Sequence, residues 1–464
     1  MEGMDLTPPL PDDVLAGVLR RLAPRGLAVS RCVCKAWRRV VDDRRHLRAD
    51  LLPRSLGGIF LNLHDLRFTQ FLSRPTTGAA VSGRLDYTVP GEPDRLPPIY
   101  VKDHCNGLLL LHHCVVNPAT RQWAPLPPRP PLPQPPPPGM SVCTKEYLVF
   151  DPTMSLNNEL LIVPNVPYKL NDDNECEESE WPPATLILPV FSSKTGSWEE
   201  RAYGRDGEAA GMLPGMHQST PRLCFQHQCG YWRGALYICC DDCFVMRISL
   251  SNNMYQAFRL PTELTEDENF YLGKSINGIY CASIFQGSQL QVWFVNFQCV
   301  HGQTEWVLKH GRDIFPILPN LNYDEQCDGA WILQEFYCWG QEHSDDEAYT
   351  VVYCNEAILE EKFVWDSDND NVLEPGSRSK DSFLDFLGFH PYKEVVFLSD
   401  KFDRVLAYNW SSSKIQDLGK VFPKFYIDWD LHFHHKYVSA SFPYTPCWLG
   451  ELPEKLNLEA QLED

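Results

Sequence analysis

The chain has 464 residues, a length that allows two to four ordinary domains or one large repeat domain beside a small one. Hydrophobic residues make up 44% of the sequence and aromatic residues 12%, a composition that excludes a chain disordered throughout. The formal charge of −20 argues against a general nucleic-acid-binding protein, because it repels phosphate backbones. Residues 1–50 are net basic and the rest strongly acidic, which predicts two modules with different partners.

The sequence predicts an intracellular protein, located in the cytoplasm, the nucleus or both. The N-terminal residues MEGMDLTPPLPDD lack the basic and apolar regions of a secretory signal. The longest apolar run, Gly107 to Val116, is too short to cross a bilayer, so no membrane contact is expected. The 17 cysteines are interpreted as small buried hydrophobes of a reducing compartment, without a disulfide framework.

The first module is predicted to contain three short helices between residues 10 and 42. In the first helix, apolar residues recur at spacings of three and four, which predicts one buried face. These residues are Val14, Leu15, Val18, Leu19 and Leu22. A second helix is predicted over residues 27–33 and a third over 34–41, with Trp37, Val40 and Val41 on one side. A unit this small needs a partner or a following domain for stability.

The segment LPDDVLAGVLRRLAPRGLAVSRCVCKAWRRVV, which starts at Leu10, has a Leu-Pro beginning and a Val-Cys-Lys-x-Trp-Arg end. With both ends at this separation, it closely resembles the F-box, the motif by which substrate receptors of SCF-type ubiquitin ligases bind their adaptor. A generic amphipathic three-helix cap with a basic face is the alternative. The resemblance implies that the adaptor-binding residues are Leu10, Pro11, Val14, Leu19, Leu22, Leu27, Val33, Cys34, Lys35 and Trp37.

After residue 50, short apolar or alternating runs separated by turn residues predict a large all-β domain. A unit of strand, polar turn and strand recurs along this part of the chain. Its turns are marked by Asn117, Ser193, Asn252, Asn296, Asn355 and Ser412. The spacing predicts a β-propeller of six to eight blades, with a stack of β-sandwiches as the alternative.

Four segments, HCNGLLLL, VVNPATRQW, YWRGALYI and HPYKEVVFL, are similar to the F-box-associated, kelch-like propeller region of plant F-box proteins. The expected fold class is therefore α+β and multidomain. The predicted parts are a disordered N-terminus (1–9), an F-box helical domain (10–48), a propeller-like domain (55–447) and an acidic tail (448–464). In the third part, residues 125–138 form a proline-rich insertion that is expected to project as polyproline II and to contribute little stability. The strands near 58–63 and 438–442 are expected to pair and close the domain.

Two clusters have residue types that bind metals. One comprises Cys224, Cys229, Cys239, Cys240 and Cys243, of which the last two have zinc-ligand spacing. A strand at 237–240 would, however, place Cys239 and Cys240 on opposite faces. The other cluster comprises Asp428, Asp430, His432, His434 and His435. Both clusters are interpreted as structural, and no metal, cofactor or catalytic site is predicted.

Together, these patterns favour a non-catalytic substrate-recognition subunit of an SCF-type cullin-RING E3 ubiquitin ligase. The resemblance implies that the F-box docks to a Skp-type adaptor, and through it to a cullin, while the propeller binds an unknown target protein. The acidic β domain is expected to favour a target with a basic or neutral surface. The alternative function is a propeller enzyme or a carbohydrate-binding protein in which the helices are only a cap.

Overall fold

The architecture is that of a computed structural model. It describes residues 11–22, 27, 30, 33–44, 55–64, 66–76, 81–89, 96–169, 179–213, 228–240, 244–261, 269–297, 304–318, 329–340, 350–355, 366, 372–373, 384–400, 403–423 and 437–448.

Two helices are described in the N-terminal segment, α1 (Asp12–Leu19) and α2 (Lys35–Asp43). A small cluster of buried residues joins them, comprising Leu15, Ala16, Leu19, Leu27, Val40 and Val41, with Trp37 packed against it. The predicted middle helix falls largely outside the described residues, although Leu27 and Ser30 within it are buried. Among the helices of the described residues, none is long and apolar enough to span a membrane.

The prediction of one buried face on the first helix is wrong. Leu15 and Leu19 are buried, but Val14 is 50% exposed and Val18 53%. The two pairs are each four residues apart and lie next to each other around the helix, so they form two adjacent stripes. Only the stripe of Leu15 and Leu19 faces α2.

The regular structure of the remaining described chain consists of β-strands, apart from two short 3-10 helices at Asp86–Thr88 and Phe315–Ile317. In chain order, the strands are β1 (Gly58–Leu63), β2 (Gln70–Ser73), β3 (Asp103–Cys105), β4 (Leu108–Leu110), β5 (Cys114–Asn117), β6 (Gln122–Pro125), β7 (Met140–Ser141), β8 (Thr144–Phe150), β9 (Asn158–Pro164), β10 (Tyr168–Lys169), β11 (Glu180–Trp181), β12 (Thr185–Ser192), β13 (Ser197–Arg205), β14 (Gly211–Met212), β15 (Cys229–Trp232), β16 (Ala235–Cys240), β17 (Phe244–Ser249), β18 (Met254–Arg259), β19 (Asn269–Ser275), β20 (Gly278–Phe285), β21 (Gln289–Asn296), β22 (Glu305–Asp313), β23 (Ile332–Gly340), β24 (Thr350–Asn355), β25 (Leu384–Phe389), β26 (Val395–Asp400), β27 (Arg404–Asn409), β28 (Lys414–Lys420) and β29 (Val438–Tyr444).

Of these strands, 25 form six units of four or five antiparallel strands, and the other four form two short pairs, β7 with β10 and β11 with β14. Unit 1 is β3-β4-β5-β6 and unit 5 is β25-β26-β27-β28. Unit 2 (β8-β9-β12-β13), unit 3 (β15-β16-β17-β18) and unit 4 (β19-β20-β21-β22) belong to one twelve-stranded sheet, joined by short parallel pairings of β13 with β18 and of β15 with β19. Unit 6 is β29-β1-β2-β23-β24, so it combines three distant parts of the chain.

Six buried hydrophobic clusters lie between successive units, and each draws residues from two of them. The paired residues are, for example, Leu108 and Leu148 (units 1 and 2), Leu161 and Ile238 (2 and 3), Val245 and Cys281 (3 and 4), Leu290 and Leu398 (4 and 5), Phe397 and Ile59 (5 and 6), and Phe442 and Leu109 (6 and 1). Each unit is thus covered on both faces. This explains why strands such as β16 and β26 are buried along their whole length, and why β16 is a continuous apolar run.

The predicted pairing of the first and last strands is confirmed. Strand β1 pairs antiparallel with β29, and Gly58 lies opposite Tyr444. On its other side, β1 pairs with β2, and β2 in turn pairs with β23. The buried side chain of Gln70 supports this junction, because it donates to the carbonyl of Phe336 at 2.7 Å and accepts the Phe336 N–H at 2.8 Å.

Most of the predicted turn markers lie where the third strand of a unit runs into the fourth. Asn117 ends β5, Ser193 follows β12, Asn252 precedes β18, and Ser412 precedes β28. In each of these four hairpins the residue just before the fourth strand has a left-handed backbone. These residues are Arg121, Gly196, Asn253 and Ser413, with φ of 56°, 70°, 55° and 58°. The repeated turn chemistry therefore marks the outer hairpin of these four units.

The prediction that the proline-rich insertion projects from the domain is wrong. The amide of Gln134 accepts the N–H of Ile187 at 3.1 Å and donates to the carbonyl of Thr185 at 3.3 Å. Strand β9 pairs with β12 only at residues 190–192. Gln134 therefore forms its hydrogen bonds with a part of the β12 edge that β9 leaves unpaired. Arg129 forms a two-pronged ion pair with Glu146 of β8. Residues 125–138, called here the proline strap, therefore lie against unit 2.

Candidate functional site

The helical segment presents exposed apolar side chains on the flank of α1. Val14, Val18 and Leu22 follow one another at intervals of four residues and are 50%, 53% and 39% exposed. Val33, the last residue of the predicted middle helix, is 60% exposed. Aliphatic side chains that line one flank of a small helical unit are typical of a protein-binding surface.

The ten residues proposed from the sequence fall into three groups. Pro11, Val14, Leu22, Val33 and Cys34 are exposed. Leu19 and Leu27 are buried and Trp37 is half-buried, so these three pack inside the helical segment. Leu10 and the side chain of Lys35 lie outside the described residues. Val18 was missed, because its spacing to Leu22 and Val14 was interpreted as part of the buried face.

Two ion pairs connect α1 to α2 and the turn that follows it. Asp12 accepts from Arg39 at 3.1 Å, and Asp13 accepts from Arg44 at 2.5 Å. Both carboxylates lie in the first turn of α1, where they also favour the positive end of the helix. All four side chains are well exposed, so each pair contributes little to stability.

The β region has a central cavity where the innermost strands of the six units end. These strands are β3, β8, β15, β19, β25 and β29. The turns that follow them line a narrow cavity of about 70 Å³, which widens into a cavity of about 270 Å³. Asn106, Tyr231, Lys274 and Tyr392 line both cavities, so the two are continuous. We call the wider cavity the channel mouth.

Two tight hairpin turns shape the channel mouth. Asn106 and Gly107 have φ of 46° and 95°, and Arg233 and Gly234 have φ of 47° and 77°. Two successive residues with positive φ are the signature of the two-residue turns that suit hairpin twist. The first turn carries the amide of Asn106, which donates to the carbonyl of Phe150 at 2.6 Å. The second turn places the half-buried Trp232 beside Arg233 at the mouth.

Positive charge and aromatic surface meet at the mouth. Lys274 Nζ donates to Asn106 Oδ1 at 3.1 Å and lies 5.6 Å from the centre of the Trp232 ring. The Arg233 guanidinium lies 5.4 Å from the same ring. This arrangement can hold a ligand that combines negative charge with an apolar or aromatic surface.

The acidic and thiol groups below the mouth are engaged in holding the strands together. The buried carboxylate of Asp103 accepts the N–H of Leu148 at 2.6 Å and the Cys229 thiol at 3.5 Å. Burial raises the pKa of Cys105 to about 12 and raises the pKa of Cys229 well above its ordinary value. A nucleophilic cysteine needs the opposite shift, so these thiols are suited to packing.

Of the two metal-type clusters, the cysteine cluster is divided between two cores. Cys239 lies in the core between units 3 and 4, and Cys240 lies in the core between units 2 and 3, which confirms the opposite faces predicted for them. Cys224, Cys243 and residues 428–435 lie outside the described part of the chain. Within that part, no group of three or more potential metal-binding side chains is found.

Residues 9–48 match the model of the F-box domain family. An F-box domain implies a substrate-adaptor role in SCF-type ubiquitin ligases and a Skp-type adaptor as partner. No curated protein matches the chain.

Several solved structures are similar to the chain over most of its length. One, described as YCF48 bound to D1 peptide, is 8% identical, covers 81% of this chain and 88% of that chain, and has a TM-score of 0.32. AztD of Citrobacter koseri is 8% identical over 81% and 83% of the two chains, with a TM-score of 0.29. A chain of a mitotic checkpoint complex is 9% identical over 74% and 89%, with a TM-score of 0.29.

Proposed function

We propose that the protein is the substrate-recognition subunit of an SCF-type cullin-RING ubiquitin ligase, acting inside the cell. The helical segment binds a Skp-type adaptor, which connects it to a cullin, and the β region binds a target protein. The observation that carries this proposal is the F-box domain match at residues 9–48. The exposed aliphatic flank of α1 supports it, because a binding surface is available on the matched segment.

The exposed and buried residues of the helical segment have different roles in this proposal. Val14, Val18, Leu22 and Val33 contact the adaptor and lose their exposed apolar surface to it. Pro11 and Cys34, which are also exposed, complete the contact, together with Leu10 and Lys35. Leu19, Leu27 and Trp37 act indirectly, because they hold the helices in place.

For the β region we propose a closed propeller in which the six units are the blades. The proposal is supported by the six clusters. Five of them lie between successive units from unit 1 to unit 6, and the sixth lies between unit 6 and unit 1. A stack of sandwiches would leave the outer sheets without a second core. We further propose that this domain spans residues 55–447 and corresponds to the kelch-like, F-box-associated region of plant proteins.

The target is proposed to bind at the channel mouth, where loops from six units meet. The protein then contributes position rather than chemistry to ubiquitin transfer. Holding a target beside a charged ubiquitin carrier raises the effective concentration of its lysines, and this requires no catalytic group on the receptor.

Affinity purification of the full chain and of a chain lacking residues 1–48 tests the proposal. The full chain should recover a Skp-type adaptor and a cullin, and the shortened chain should recover neither while its β region still unfolds cooperatively. Recovery of both proteins by the shortened chain would overturn the proposal. Failure of the full chain to recover either would also overturn it, and would favour an enzyme or a carbohydrate-binding protein with a helical cap.

A further inference from the structure

The channel mouth has a charge opposite to that of the chain as a whole. The lining side chains that are charged at neutral pH are Arg233, Lys274 and Asp151, whereas the chain has a formal charge of −20. The carboxylate of Asp151 accepts the N–H of Thr153 at 3.0 Å and its hydroxyl at 2.6 Å. The mouth therefore has two positive charges and one negative charge, and the carboxylate of Asp151 is already hydrogen-bonded within its own loop.

Both cations lie on the ring of Trp232. Lys274 Nζ and the Arg233 guanidinium are 5.6 Å and 5.4 Å from the ring centre, so two like charges share one aromatic side chain. Asn106 Oδ1 holds the ammonium on the channel wall by a hydrogen bond of 3.1 Å. An anion that binds beside the ring relieves the repulsion between the two cations, so the site favours a negatively charged group.

Apolar side chains lie beside these charges. Ile276, after β19, is 36% exposed, and it lines the mouth together with Pro391 and Pro446. A ligand that buries them must carry apolar groups as well as negative charge. The mouth, at about 270 Å³, has room for side chains of an extended segment but not for a folded domain.

We propose that the channel mouth binds an acidic, extended segment of the target, with a carboxylate at Arg233 and Lys274 and a neighbouring apolar side chain against Trp232. This inference rests on the proposed function and names the chemical class of its target. It replaces the expectation, drawn from the net charge alone, that the target presents a basic or neutral surface, because the local charge at the contact determines complementarity.

The test uses the purified full chain, and a random peptide library as the probe. Selected peptides should be enriched in Asp and Glu next to apolar residues. They should bind the R233Q/K274Q double variant about tenfold or more weakly, as expected for the loss of charged hydrogen bonds. The matched control is Lys309→Gln, which removes a cation 5.5 Å from the ring of Phe294 on an outer strand and should leave binding unchanged.

Selection of neutral or basic peptides, or of none, would overturn the inference, as would equal binding to the double variant. Arg233→Glu gives an independent readout, since it should weaken binding of acidic peptides further and should select basic ones instead. Thermal unfolding of each variant shows that the β region is intact. Recovery of the adaptor is measured on the same preparations, and because it depends on the helical segment, its loss would count against the proposed function alone.

Discussion

Phe60 of β1 lies directly opposite Phe442 of β29, in the antiparallel pair that joins the start of the β region to its end. Both rings are buried in the cluster between units 6 and 1. Strand β29 also contacts β25 of unit 5 and β3 of unit 1. One pair of strands therefore joins both ends of the β region and contacts both neighbouring units.

Removal of residues 425–464 should destabilise the whole β region, because it deletes β29 and uncovers two cores at once. Thermal unfolding should show loss of the cooperative transition or a fall in melting temperature of more than about 10 °C, since several large buried side chains are lost. A chain that ends at Trp448 keeps β29 and serves as the control. A soluble fragment that lacks residues 425–464 but unfolds as cooperatively as the control would show that the units are independent domains.

Substitutions at Gly107 and Gly207 can be compared to test the contact between unit 1 and residues 445–447, which follow β29. Both have left-handed backbones, with φ of 95° and 97°. A Cβ added to Gly107 would lie 2.4 Å from Cys447 Cβ and 2.6 Å from its nitrogen, whereas one added to Gly207 would meet nothing within 4 Å.

Gly207→Ala should lower the free energy of unfolding by about 1 kcal/mol, the cost of backbone strain alone. Gly107→Ala should cost about 2 kcal/mol more, because overpacking adds to that strain. Chemical denaturation of both variants gives the difference. Equal destabilisation would mean that residues 445–447 are not held against the turn.

The proline strap should contribute measurable stability. Gln134→Ala removes both hydrogen bonds to the edge of β12 and should lower the free energy of unfolding by about 1–3 kcal/mol. Pro131→Ala, at an exposed position of the same strap, is the control and should change it by less than about 0.5 kcal/mol. If the two substitutions have the same small effect in chemical denaturation, the strap is a loose insertion, as the sequence alone suggested.

Glu146 should make the stability of unit 2 depend on pH. Burial alone would raise the pKa of Glu146, but hydrogen bonds from Arg129 and the charges of Lys102 and Arg129 lower it below its ordinary value of 4.5. A group whose pKa is lower in the folded state stabilises the protein above the ordinary pKa and loses this effect as the pH falls through the folded pKa.

Glu146→Gln should therefore destabilise the protein by about 2 kcal/mol at pH 7, and the difference from the wild type should shrink below about pH 4.5. Denaturant unfolding as a function of pH measures this difference. Glu200→Gln, at an exposed position of β13, is the control and should change the free energy of unfolding at pH 7 by less than about 0.5 kcal/mol. A pH-independent effect of Glu146→Gln would indicate lost packing rather than a lost ion pair.

Local patterns in the sequence predict those parts of the fold that depend on neighbouring residues. The turn residues at Asn117, Ser193, Asn252 and Ser412 locate the outer hairpins, because turn chemistry is set within four residues. The pairing of β23 with β2 was not predicted, because it brings together strands that are distant in sequence and depends on partners such as Gln70 and Phe336. The proline strap was misjudged for the same reason, since its anchors on unit 2 are side-chain contacts that periodicity does not encode.

The two candidate sites differ in how far the sequence predicts them. The helical segment is recognised from its sequence motif. Which of its residues are exposed depends on how α1 packs against α2, so Val18 was predicted to be buried although it is exposed. The channel mouth was not predicted at all. Asn106, Trp232 and Lys274 meet there because the innermost strands of units 1, 3 and 4 end at the same place.

The most direct test of the account is the affinity of the full chain for a Skp-type adaptor when the exposed flank of α1 is changed. Val14→Asp with Val18→Asp should weaken binding about 100-fold or more, since charge replaces two apolar contacts, while the melting temperature stays the same because both side chains are half-exposed. Leu308→Asp, at a position of β22 with 55% exposure, is the control and should bind as the wild type does. Unchanged adaptor affinity of the double variant, measured by calorimetry on folded protein, would contradict the assignment of this surface and with it the proposed role of the chain.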